Sequence, residues 1–68
     1  MKLILLGYSG HGFVLAEAAI ELGYKIIGYL EKKEKNNNPF NLSYLGYEED
    51  SNLLNKYIKD NIGFIIGI

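Results

Sequence analysis

Residues 2–12 read K-L-I-L-L-G-Y-S-G-H-G, a short aliphatic run that breaks at once into a glycine-rich loop. By periodicity alone such a run fits a buried strand or a piece of buried helix. Gly7-Tyr8-Ser9-Gly10-His11-Gly12 decides between them, because glycine at that density disfavours a continuing helix. A strand without polar alternation is buried on both faces, which implies a parallel sheet covered by helices. Helical spacing follows: Val14, Leu15, Ala18, Ala19 and Leu22 predict the apolar face of a helix, with Glu17 and Glu21 on the other side. Ser9 is expected as its N-cap and Gly23 as its C′ residue, while Ala16, Ala18 and Ala19 keep it slim enough to lie close on the sheet. Lys25-Ile26-Ile27-Gly28-Tyr29-Leu30-Glu31 then predicts a second strand, completing a right-handed βαβ unit.

The pattern is weaker beyond Lys32. Asn36-Asn37-Asn38-Pro39 marks a polar loop, and Ser43-Tyr44-Leu45-Gly46-Tyr47 predicts a short third strand. Glu48, Glu49 and Asp50 precede a second helix, where the macrodipole favours negative charge, and Leu53, Leu54, Tyr57 and Ile58 are expected on its apolar face. Gly63-Phe64-Ile65-Ile66-Gly67-Ile68 predicts a last strand. The fold class is therefore α/β: a small Rossmann-like open parallel sheet with flanking helices, one domain over residues 1–68. In such sheets ligands bind beyond the carboxyl ends of the strands. A chain ending inside a strand, without the loop that would follow, is expected to be a truncated piece.

Composition narrows the function classes. A chain of 68 residues holds one domain of marginal stability. The net charge is −1, and Lys32, Lys33 and Lys35 alternate with Glu31 and Glu34, so no basic stripe exists to track nucleic acid or coat a membrane. The chain has no cysteine and one histidine, which excludes disulfides, a thiolate nucleophile and a histidine-cluster metal site within it. The apolar run after Lys2 is too short for a signal peptide, so the cytoplasm is the expected location.

The loop carries what chemistry there is. Between a strand and a helix N-terminus, unpaired N–H groups and the positive end of the dipole favour an anion. Gly7 permits the turn, Gly10 lets a ligand approach the backbone, and Gly12 lets helix and strand pack. Against G-x-G-x-x-G the spacing is kept, but Ser9 stands at the second glycine. Glu31, about 20 residues past the loop, is placed to accept from ribose hydroxyls. His11 is a donor to phosphate or sugar rather than an acid or base, and Tyr8 is a candidate for stacking on a ligand. No catalytic residue set is recognisable.

Residues 2–19, K-L-I-L-L-G-Y-S-G-H-G-F-V-L-A-E-A-A, with G-Y-K-I-I-G-Y-L-E at residues 23–31, resemble the N-terminal domain of sugar O-acyltransferases of NeuD/PglD type. These bacterial enzymes are sialic-acid O-acetyltransferases and N-acetyltransferases of UDP-4-amino sugars. The resemblance implies a domain that binds a nucleotide-activated amino sugar and is inactive alone. Acetyl-CoA, the catalytic histidine and the trimer would belong to a following left-handed β-helix, which is absent here. The piece itself is expected to be a monomer or weak dimer. Carried over by position, Ser9, Gly10 and His11 would face phosphates and sugar, and Glu31 would meet the uridine end; Gly7, Tyr8, Gly12 and Lys32 complete the expected substrate-binding set. Glu31-Lys32 departs from the two adjacent acids frequent in the family. The alternative is a NAD- or nucleotide-binding Rossmann module of a regulatory protein or oxidoreductase.

Overall fold

A computed structural model describes residues 1–67. Among the described residues the elements run in the order β1 (Lys2–Leu6), α1 (Gly10–Glu21), β2 (Lys25–Glu31), β3 (Tyr44–Tyr47), α2 (Ser51–Lys59) and β4 (Gly63–Ile66). The sheet order is β3-β2-β1-β4 and every pairing is parallel. The fold is thus the expected α/β arrangement; Ile68, the last residue of the predicted final strand, lies outside the described residues. The chain steps one way across the sheet from β1 to β2 and the other way from β3 to β4. With right-handed crossovers, these opposite steps put α1 and α2 on opposite faces.

The central strand β1 carries the unbroken aliphatic run, and both of its faces are covered: Ile4 and Leu5 have no exposed surface. Each such side chain contributes roughly 1.5–3 kcal/mol through burial. On the α1 face, Leu5, Tyr29, Tyr8 and Ala16 form the core, flanked by Phe13 and Ile65. On the other face Leu53 of α2 reaches toward Gly46 and Leu30.

Both helices end as their sequences require. Gly23 adopts φ +89°, and the N–H groups of Gly23 and Tyr24 return to the carbonyls of Ile20 and Ala19, a Schellman cap. Asn61, at φ 63°, closes α2 the same way through Ile58 and Tyr57. Asp50 caps the start of α2, its Oδ1 accepting from Leu53 N at 3.2 Å.

Two predicted faces are corrected. The side of α1 that lies on the sheet is Gly12, Ala16 and Ala19, whereas Val14 is 65% and Leu22 76% exposed. The helix sits so close to the strand ends that only small residues fit beneath it. In α2, Leu53, Leu54 and Tyr57 are half-buried as expected, but Ile58 points outward and is exposed. Among the described residues no helix is long and apolar enough to cross a membrane.

Candidate functional site

The loop between β1 and α1 stands at the carboxyl ends of the strands. Gly7 turns the chain with φ +90°, a left-handed conformation that glycine adopts without steric cost, and its N–H donates to Leu30 O at 3.0 Å. Gly12 is needed for approach: a Cβ there would lie 2.4 Å from the Gly7 carbonyl oxygen. The end of β4 joins the same contact, with Gly67 N donating to Leu6 O at 2.7 Å and a Gly67 Cβ falling 2.6 Å from Gly7 O. At Gly10, by contrast, an added Cβ would meet nothing within 4 Å.

Ser9 occupies the N-cap with extended backbone, and its carbonyl accepts from Phe13 N at 2.7 Å. Its hydroxyl makes no capping hydrogen bond, which corrects the expectation of an ordinary serine cap and leaves that oxygen uncommitted. Ser9, Gly10 and His11 are all exposed in front of the first helical turn, whose N–H groups have no intrahelical acceptors.

Tyr8 differs from expectation. Its ring is fully buried, 4.9 Å from Phe13 edge-on and 4.5 Å from Tyr29. It therefore cannot stack on a ligand: the core has taken the ring because the turn at Gly7 directs it inward. Burial pushes the Tyr8 hydroxyl above its ordinary value of 10.0; the hydrogen bond from Phe40 N opposes this and the neighbouring Tyr29 adds to it.

Glu31 ends β2 beside the loop, as its spacing predicts. Its carboxylate reaches across: Oε2 accepts from Tyr8 N at 2.6 Å, and Oε1 lies 3.4 Å from Lys32 N. One oxygen is therefore committed to holding the loop, a role spacing alone did not reveal. Glu31 also begins the lining of an open concavity of about 450 Å³ formed by residues 31–37, in which Lys32 is exposed. A larger depression of about 680 Å³ lies along α2 between Asn52 and Asp60 and contains no residue of the strand ends. The smaller one is joined to the loop through Glu31 and lies beyond the carboxyl end of β2.

Asn38 is the residue that sequence reasoning missed. Its Oδ1 accepts from Leu42 N and its Nδ2 donates to Leu42 O, both at 2.8 Å, so the asparagine-rich segment folds around one side chain. The single sequence signal was its place just before Pro39, which restricts the preceding backbone. Among the described residues no group of three His, Cys, Asp or Glu side chains converges on a metal position.

A protein-family model described as the PglD N-terminal domain matches residues 2–68. No curated protein and no solved structure matches the chain.

Proposed function

The chain belongs to the PglD N-terminal domain family, the front domain of PglD/NeuD-type acetyltransferases, and from that premise we propose that it binds a nucleotide-activated amino sugar through the loop at residues 7–12. What carries the reading is the pairing of an open Gly10 with an uncommitted Ser9 hydroxyl at a helix N-terminus. The first-turn N–H groups and the helix dipole suit a phosphate there. His11 donates to phosphate or sugar, and Glu31 and Lys32 meet the nucleoside end across the 31–37 concavity. Glu31 Oε2 holds Tyr8 N, while Oε1 accepts only a long bond from Lys32 N at 3.4 Å and keeps a lone pair for that purpose.

Binding, not catalysis, is the proposed task of this segment. Acetyl-CoA and the trimer are assigned to a hexapeptide-repeat domain outside the chain, in a cytoplasmic bacterial enzyme. The segment alone is a monomer or weak dimer.

The test is calorimetry with a UDP-sugar on the chain and its Gly10→Val variant, with NAD as a second titrant. Gly10 has open space around it, so the variant is expected to fold. Binding should be abolished because the new side chain blocks the backbone. Equal affinity in both proteins would reduce the loop to a turn, and preference for NAD would favour the dinucleotide alternative.

A further inference from the structure

Tyr8 is tied at both ends. Its N–H is held by the Glu31 carboxylate at 2.6 Å, and its hydroxyl both donates to Asn38 Oδ1 at 2.5 Å and accepts from Phe40 N at 3.1 Å. Packing alone would be served by phenylalanine. A buried hydroxyl has to find partners, and this one finds them thirty residues away in the asparagine-rich segment. Asn38 in turn clamps Leu42 through both ends of its carboxamide, and its carbonyl accepts from Asn41 N at 3.1 Å.

Two more tyrosines act in the same direction. Tyr29 stacks between Tyr8 and Tyr44, with ring centroids 4.5 and 5.4 Å apart. Its hydroxyl accepts from Lys35 N at 2.8 Å, and the Tyr44 hydroxyl donates to Glu31 O at 3.2 Å. Three rings from three parts of the chain form one stack, and all three hydroxyls end on the segment that begins at Glu31.

We propose that Tyr8 and Asn38 are positioning residues that latch the 32–42 segment to the glycine loop, so that the two walls of the candidate site move as one unit. The inference rests on the nucleotide-sugar reading for its ligand, and on geometry alone for its coupling. A ligand touching only the glycine loop needs no latch. One that spans the loop and the 31–37 concavity gains affinity from having the second wall already in place.

The experiment compares Tyr8→Phe, Asn38→Ala, their double variant and Asn38→Asp with the unmodified chain. Asn38→Asp keeps the oxygen that accepts from Tyr8 and Leu42. Titrants are UDP-N-acetylglucosamine, which spans both walls, and inorganic pyrophosphate, which needs only the loop. Tyr8→Phe and Asn38→Ala should each weaken the sugar nucleotide about five- to tenfold. Pyrophosphate binding should change less than about twofold, since its contacts need no latch. The double variant should lose clearly less than the sum of the two single losses, because both break the shared Tyr8–Asn38 link, and Asn38→Asp should recover most of the loss. Additive losses, or an equal loss for pyrophosphate, would mean the hydroxyl only props the fold and would overturn the latch.

If the unmodified chain binds neither titrant, the anion-loop reading fails, and the latch is decided without ligand. Asn38→Ala must then shift the amide resonances of residues 9–12 and expose the Phe40 and Leu42 amides to exchange while β1 stays protected. Unmoved loop resonances would overturn it.

Discussion

A Cβ at Gly12 would stand 2.4 Å from a backbone oxygen, which cannot retreat as a side chain would, while the same atom at Gly10 enters open space. Gly12→Ala is therefore expected to lower stability by about 1–3 kcal/mol through overpacking. Gly10→Ala should leave it unchanged or raise it by about 0.4–1 kcal/mol, by restricting the unfolded chain. Urea denaturation of the two variants measures the contrast. Tyr8 gives a second residue-level expectation. Its hydroxyl titrates above 10.0 in the folded chain because burial disfavours the phenolate. Its contribution to stability is thus complete below pH 10 and lost as pH rises through the folded value. Thermal melts should show an alkaline decline that Tyr8→Phe reduces; identical declines in both proteins would contradict the assignment.

The helix α1 shows how far the sequence can be read at the level of elements. Its existence, its limits and its glycine cap follow from local signals: periodic apolar residues, a serine before the first turn, Gly23 after the last. Its orientation does not, because it carries apolar residues around most of its circumference, with Val14, Ile20 and Leu22 all on the exposed side. Size, not hydrophobicity, selects the face: Gly12, Ala16 and Ala19 recur at i, i+4 and i+7 and permit the close approach fixed at Gly7. Ala16→Leu should accordingly cost about 1–3 kcal/mol, while Leu22→Lys should fall within about 0.5 kcal/mol of the parent. Denaturation midpoints decide this, and reversed costs would restore the face that periodicity predicts. The candidate site was legible to a similar depth. Gly7, Ser9, Gly10, His11, Gly12 and Glu31 announce themselves through spacing. The long-range partners of Tyr8 and Asn38 do not, since no local pattern encodes a hydrogen bond across thirty residues.

For the whole molecule, the strand order carries a consequence in time. The central strand β1 is flanked by β2, which follows it closely, and by β4, which follows it only after β3 and α2. A parallel sheet has no hairpins, so each pairing must wait for a crossover to be made. The β1–α1–β2 unit pairs residues such as Lys2 with Lys25, far closer in sequence than Leu3 with Gly63 in the β1–β4 pairing, and is expected to nucleate folding before β4 docks. Ile4→Ala should then give a φ-value of about 0.5–0.8 and Ile65→Ala one below about 0.3. Chevron plots of the two variants test the order, and a higher value at Ile65 would reverse it. On the ribosome the same geometry leaves one edge of the first strand unpaired until residues 63–66 have been made. At about 5–20 residues per second, that is an interval of several seconds. During it a strand with four consecutive aliphatic residues, Leu3 to Leu6, is open to any neighbouring chain, so crowded synthesis is a stage at which this protein is exposed to aggregation.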